Sequence, residues 1–539
     1  MSLAKAALCA GLASLVFLLL FAKVALAPLP QSPPDYTLRV LAGSELGDMT
    51  SILAQASAST GVRVRLTTTD SFIAAQEVAD GTAQRHYDAV WFASDDYFDL
   101  FSPAAKDLSG TTPIMSSPVV LAVRSSVARR LGWENGSATW ADIAEAAASG
   151  HFTFGMTSPV TADAGLSGLV AAATATARAK GPLQEGQILA TVPELTGLFH
   201  SQILSAPDST DLTRVYLKEL AHPEPGLPDG IIDNEADLIA LKAEAPGGDP
   251  LTLVYPSNGV IEADYPLSML TTARPAARTA FERLVGYLTS AAVQQQIMKT
   301  THRRPVVPLP DSELPTGLDV LRSPNSATVQ TLIDVYLGRL RAPGRTIYVL
   351  DTSASMKGQR LDDLKSALSA LTGAGASPAG KFSEFRDGEE VTFLPFSYRP
   401  GPPTVFTIPG SDPGPTLADI RSDIRKLQAR GRTAIYDSLV RAYQLLQAQD
   451  TKAPGRIDSI VLITDGGNDW GSGLGEFLAY YRSLWARSEP APVYSIAVGE
   501  AELSELQQVA DVTGGTLTNA EQEPLSALET IVEDIRGYQ

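Results

Sequence analysis

Asp351, Ser353 and Ser355 alternate along Asp351-Thr-Ser-Ala-Ser-Met-Lys-Gly358, so three hard oxygens can turn toward one point. Such a cluster suits Mg²⁺, Mn²⁺ or Ca²⁺ and suits thiophilic metals poorly. Thr433, in Arg430-Gly-Arg-Thr433, and Asp465, in Thr464-Asp-Gly466, fit the same point. The elements around them explain how. Arg345-Thr-Ile-Tyr-Val-Leu350 is a short apolar, β-branched run and predicts a buried strand. Leu361, Leu364, Ala367, Leu368 and Leu371 are spaced as one face of a helix. The acid and the two hydroxyls therefore sit on a strand-to-helix turn, which in an open α/β sheet borders the ligand crevice. Ile460-Val-Leu-Ile-Thr464 predicts a second buried strand with Asp465 at its carboxyl end. Ala434 to Val440 predicts a helix start with Thr433 at its mouth. Ser, Thr and Asp also serve as helix caps and turn residues. The coincidence of three pieces is what favours the metal.

Asp-x-Ser-x-Ser, then a lone Thr, then Thr-Asp-Gly resembles the von Willebrand factor A domain and its metal-ion-dependent adhesion site. The resemblance covers residues 345–539 and implies a doubly wound, Rossmann-like sheet. It implies that Ser353, Ser355 and Thr433 give oxygens to the metal, while Asp351 and Asp465 hold it directly or through waters. It also implies protein–protein contact. Five protein residues leave one position on an octahedral cation, to be taken by a partner's carboxylate.

A chain of 539 residues predicts about three domains, or two with one large. The formal net charge of −18 gives no nucleic-acid footprint, which would be basic. The single cysteine, Cys9, excludes an intramolecular disulfide and a thiolate zinc site. His86, His151, His200, His222 and His302 are scattered, with no paired metal spacing.

Residues 1–35 hold an apolar stretch, Ala6 to Ala22, flanked by Lys5 and Lys23 and continued by Val24-Ala-Leu-Ala27. About 22 residues can span a bilayer if Lys23 snorkels. This predicts a single-pass membrane protein with the bulk of the chain extracytoplasmic. The alternative is a signal peptide cleaved at Ala25-Leu-Ala27, giving a secreted protein; Pro28 directly after the site disfavours cleavage. Pro28-Leu-Pro-Gln-Ser-Pro-Pro34 predicts a stiff spacer.

Residues 36–308 alternate strand and helix patterns: Leu38–Ala42, Val62–Leu66, Tyr87–Phe92, Pro118–Val123 and Leu251–Tyr255 as strands, and one long amphipathic helix from Ala276 to about Lys299. Val40-Leu-Ala-Gly-Ser-Glu45, Ser117-Pro-Val-Val120, Ser158-Pro-x-Thr-x-Asp-x-Gly165 and Arg304-Pro305 resemble the periplasmic solute-binding proteins in their two-lobed, doubly crossed form. That resemblance implies a small solute between lobes, the first formed by 36–123 with 251–308 and the second by 124–250. Ser44 and Ser167 each offer a hydroxyl and amides at an expected helix start, a natural anion seat. Thr161 and Asp163 lie close by in sequence.

Residues 309–344 predict a Pro-punctuated linker with one helix, since Val329, Leu332, Ile333, Tyr336, Leu337 and Leu340 form a stripe expected to dock on a domain. The fold class expected is α/β throughout, because strands alternate with helices. No Gly-x-x-x-x-Gly-Lys-[Ser/Thr] loop and no G-x-S-x-G elbow is present, so catalysis is not expected. Two functions stand. One is a membrane-anchored binding protein that recognises a partner protein through Mg²⁺, or Mn²⁺ or Ca²⁺, with the solute half sensing a small molecule or serving as scaffold. The other is a transport-system solute receptor with an accessory metal domain.

Overall fold

The structure is a computed structural model that describes residues 35–221, 226–309, 314–374, 384–450, 456–485, 490–498 and 503–520, with 527–528, 531–532 and 535. The apolar N-terminal stretch and the Pro-rich spacer lie outside the described residues. Among those described, no helix is long and apolar enough to cross a membrane. The described residues are α/β, with three sheets.

The first sheet has the order β2-β1-β3-β12-β4, from Val62–Thr68, Tyr36–Ala42, Ala89–Trp91, Pro266–Leu270 and Leu108–Pro113. β1 is parallel to β2 and β3, and β12 is antiparallel to β3 and β4. The second sheet runs β6-β10-β5-β9-β7-β8, from Ser137–Ala138, Leu251–Pro256, Met115–Arg124, Gly230–Asn234, Phe154–Thr157 and Gln202–Ala206. Two short strands, β11 (Glu262–Ala263) and β13 (Arg304–Pro305), also pair with β5. The chain passes from the first sheet to the second between β4 and β5, returns between β11 and β12, and reaches the second again at β13.

The lobe boundary differs from the sequence expectation. Residues 115–123 and 251–256 were expected in the first lobe, yet β5 pairs with β9 and β10 in the second sheet. Nearly all of β5 is buried, so it is a central strand covered on both faces. Such a run reads alike in either sheet. The helix expected over 276–299 is two helices, Pro275–Leu288 and Ala291–Thr301, broken where Ser290 turns extended.

The linker helix Ser326–Val335 continues as a π turn over Tyr336–Leu340. Its apolar stripe joins the core of the two-lobed unit. Tyr336 meets Phe199 edge-on at 5.3 Å between centroids.

The third sheet runs β16-β15-β14-β17-β18-β19: Thr404–Thr407, Glu390–Phe396, Gly344–Asp351, Ile457–Thr464, Val493–Ala497 and Leu517–Asn519. Only the β15–β16 pair is antiparallel. Alternate residues feed two cores, one on each face. Tyr348 and Leu350 enter the first, Ile347 and Val349 the second. Helices cover both faces, so β14 and β17 read as unbroken apolar runs rather than alternating ones. Their carboxyl ends deliver Asp351 and Asp465 side by side.

Candidate functional site

Asp351 ends β14 with no exposure, and its two oxygens are spoken for. The amide of Ser353 donates to Oδ1 at 2.7 Å, and the Thr464 hydroxyl donates to Oδ2 at 2.6 Å. Burial pushes the Asp351 carboxyl up to about 6; these donors pull it down and nearby Asp465 raises it. The chain then turns through a short 3₁₀ segment, Ala354–Met356. This leaves the Ser353 and Ser355 hydroxyls 2.8 Å apart, and Ser355 donates to Asp465 Oδ1 at 2.8 Å.

Thr433 arrives on a separate loop that is tied to the first by backbone. Arg430 N donates to the Thr352 carbonyl at 2.7 Å, and Ala354 N to the Gly431 carbonyl at 3.1 Å. Gly431 is needed there: its φ is +88°, and a Cβ would stand 2.8 Å from the Tyr398 ring. Thr433 N donates to Asp469 Oδ1 at 2.7 Å and Ile435 N to Asn468 Oδ1 at 2.8 Å, so the 465–473 loop caps the helix Ile435–Asp450. Four of the five predicted residues thus form one hydrogen-bonded cluster. The fifth, Thr433, lies on the adjoining loop, with no hydrogen bond from its side chain to the other four among the described residues.

The donor set fits a hard divalent cation. It is all oxygen, two carboxylates with hydroxyls, and no thiolate or imidazole takes part. One further feature was not expected from sequence. Arg360, at the start of the next helix, donates to the outer oxygen of Asp465 at 2.7 Å. Asn468 and Asp469 were also missed; the signal was their place directly after Asp465-Gly-Gly467. Beside the cluster, exposed Tyr398 and Trp470 stack edge-on at 5.8 Å, with the Arg432 guanidinium 5.4 Å over the indole ring.

The second candidate site lies between the lobes. Ser44, Thr161 and Asp163 come to one cavity there, bordered by the carboxyl ends of strands from both sheets. Ser44 leads the turn Ser44–Met49, and its hydroxyl is 3.3 Å from that of Thr210 on the other lobe. Thr161 donates to the Pro207 carbonyl at 3.0 Å. Asp163 begins the helix Asp163–Thr176 and accepts from Ser71 at 2.5 Å and Ser94 at 2.8 Å, both across the cleft. Ser167 does not sit at a helix start as expected. It is buried one turn into that helix and faces a second cavity, with Asp95, Asp96, Glu262 and Asp264.

Residues 38–300 match the family model for bacterial extracellular solute-binding proteins, and residues 346–468 match that for the von Willebrand factor type A domain. No curated protein matches the chain. Among solved structures, a von Willebrand factor type A protein from Catenulispora acidiphila is 16% identical, with a TM-score of 0.30 over 37% of this chain. The match spans 44% of that protein's length. The periplasmic binding protein AfuA from Actinobacillus pleuropneumoniae is 13% identical, with a TM-score of 0.43, over 57% of this chain and 99% of its own. Iron-bound HitA from Pseudomonas aeruginosa is 16% identical, with a TM-score of 0.43, over 55% of this chain and 98% of its own. The chain joins, in order, a domain of the bacterial extracellular solute-binding type and a von Willebrand factor type A domain.

Proposed function

We propose that this is an extracytoplasmic binding protein, held at the membrane by its apolar N-terminal stretch, whose C-terminal domain recognises a partner protein through a divalent cation. The observation that carries the proposal is the hydrogen-bonded convergence of Asp351, Ser353, Ser355 and Asp465 at adjacent strand ends, with Thr433 on the loop tied beside them. These five residues would hold Mg²⁺, Mn²⁺ or Ca²⁺. Bound there, the ion supplies a Lewis-acid seat for a partner carboxylate. The surroundings suit such a partner. Arg399, Arg430 and Arg432 are exposed on the same loops. Tyr398, Trp470 and Arg432 are the residue types that dominate binding energy at interfaces. The N-terminal domain would hold or sense a small solute.

The test is capture of partner proteins by the immobilised chain with Mg²⁺ or EDTA, for wild type, Ser353→Ala, Trp470→Ala and Ser44→Ala. Capture should need the cation, be lost in Ser353→Ala, weaken in Trp470→Ala and persist in Ser44→Ala. Capture that survives EDTA and Ser353→Ala but fails in Ser44→Ala would replace this reading with that of a solute receptor. For topology, protease added outside the cytoplasmic membrane should digest residues 36–539, and the protein should stay with membranes through a high-salt wash. A mature N-terminus at Pro28 would show cleavage instead.

A further inference from the structure

The cleft between the lobes offers acceptors almost without donors of charge. Its first cavity is small, about 20 Å³, and Glu45, Asp70, Asp163 and Asp208 are among its lining residues. The second is about 230 Å³ and is lined by Asp95, Asp96, Glu262 and Asp264 with Ser94 and Ser167. Ser94, from the second, hydrogen-bonds Asp163, from the first, at 2.8 Å, so the two cavities are neighbours. Among the described residues, no lysine, arginine or histidine lines either one. Arg303 is not among the lining residues; it donates to the Glu45 carbonyl at 3.1 Å, pairs with Asp48 at 2.5 Å and lies over the Tyr265 ring at 4.7 Å.

Acidic walls alone do not make a site, but one buried group here is left waiting for a donor, and a hydroxyl facing the second cavity makes no hydrogen bond among the described residues. Asn234, at the end of β9, lines the first cavity at 1% exposure, and its Oδ1 has no hydrogen-bond partner. Buried polar atoms are rarely left so, because each lost bond costs about 1–3 kcal/mol. Ser167, at 2% exposure, faces the second cavity, and no hydrogen bond to its hydroxyl is found among the described residues. Eight acidic side chains line the two cavities, and hydroxyl or amide donors reach Asp163, Asp208 and Glu262 without neutralising them, so the walls disfavour an anion. A bare metal ion fits poorly as well. The second cavity, at about 230 Å³, far exceeds one ion.

We propose that this cleft takes a small organic cation carrying ammonium groups, of the aliphatic di- or polyamine class. The proposal rests on residues 36–308 being a solute-holding unit. Each ammonium brings several N–H donors and a positive charge, which spread carboxylates and the unpaired Asn234 carbonyl oxygen accept without needing to converge. Burial agrees with this assignment. It pushes the Glu45 carboxyl up to about 8, and Asp95 and Asp96 each to about 7, with neighbouring carboxyls adding to the rise and Arg303 opposing it at Glu45; an ammonium in the cleft would favour their ionised forms.

The experiment is calorimetric titration of the full purified chain with spermidine, putrescine, L-glutamate and glucose. It uses an Asp351→Ala background so that divalent ions at the C-terminal domain do not contribute. Spermidine and putrescine should bind with one-to-one stoichiometry and compete, while glutamate and glucose give no heat. Asp95→Asn with Asp96→Asn should weaken spermidine at least tenfold. The same pair should raise the melting temperature of the ligand-free protein, which shows that it folds. Glutamate or glucose binding would overturn the cation assignment while leaving the solute-holding reading intact. Silence toward all four would remove both. Mg²⁺ binding that displaces spermidine stoichiometrically would make the site a metal site, and unchanged affinity in the double variant would move it elsewhere.

Discussion

At the residue scale, Asp351 and the cleft carboxyls make opposite predictions. Asp351 holds the loop amide of Ser353 and the Thr464 hydroxyl, and no basic group donates to it among the described residues. If the five oxygens hold a cation, Mg²⁺ should raise the melting temperature of the C-terminal domain, by about 2.7 kcal/mol of stability at a hundred times its dissociation constant. Asp351→Ala should abolish that rise; a variant that still responds to Mg²⁺ fully would refute the site. The cleft acids instead predict pH dependence. Glu45 faces Asp163, Asp237 and Arg303, while Asp95 and Asp96 face Asp99, Asp163 and Asp264. Their folded values, about 8 for Glu45 and about 7 for the two aspartates, lie above the 4.5 and 3.8 of free side chains. Between those limits the folded state holds more protons than the unfolded one. Stability from these groups is therefore full below about pH 4 and declines as pH rises, the loss ending above about pH 8. The melting temperature should be higher at pH 5.5 than at pH 8, and Asp95→Asn with Asp96→Asn should shrink that difference. An undiminished difference in the double variant would place its origin elsewhere.

At the element scale, what was legible in the sequence was local. Asp351, Ser353 and Ser355 lie within one strand-turn-helix, and the apolar run before them fixes where that turn falls. The interior strands of the third sheet announced themselves because both faces are covered. What was not legible depends on pairing over long separations. Arg360 reaches Asp465 across 105 positions, and Asn468 caps a helix 33 positions away. The cleft is harder still, because Glu45, Asp95, Asp163 and Asn234 come from four strand ends that only the topology brings together. Ser167 misled for a related reason: the helix begins four residues before it, at Asp163. The linker stripe was readable because its period is helical, although its host was not. Leu332 is fully buried in that stripe. Leu332→Ala should destabilise the two-lobed domain by about 2–5 kcal/mol and leave the C-terminal domain's transition in place. Loss of the C-terminal transition instead would mean that the linker belongs to the other unit.

At the scale of the whole molecule, the lobes are held together by hydrogen bonds that converge on one side chain. Asp163 starts a helix of the second lobe, is 5% exposed, and accepts hydroxyl protons from Ser71 and Ser94 of the first. Tyr97 adds a bond to the Pro159 carbonyl at 2.8 Å, and an apolar cluster runs on from Phe72 and Phe101 to Val160 and Leu166. Hydrogen bonds to a charged group contribute about 1.5–3 kcal/mol each. Asp163→Ala removes two of them and leaves two hydroxyls at the cleft without that acceptor, while the apolar contacts remain. The expected result is a protein that stays folded but samples separated lobes. Its radius of gyration by small-angle scattering should exceed that of wild type, and protease cleavage at the cleft loops should quicken. A solute that bridges the lobes should bind the variant more weakly, in proportion to the fraction of time the lobes are apart. Scattering curves that superimpose, with and without solute, would show that the apolar contacts alone hold the lobes closed and that Asp163 serves only to satisfy its neighbours.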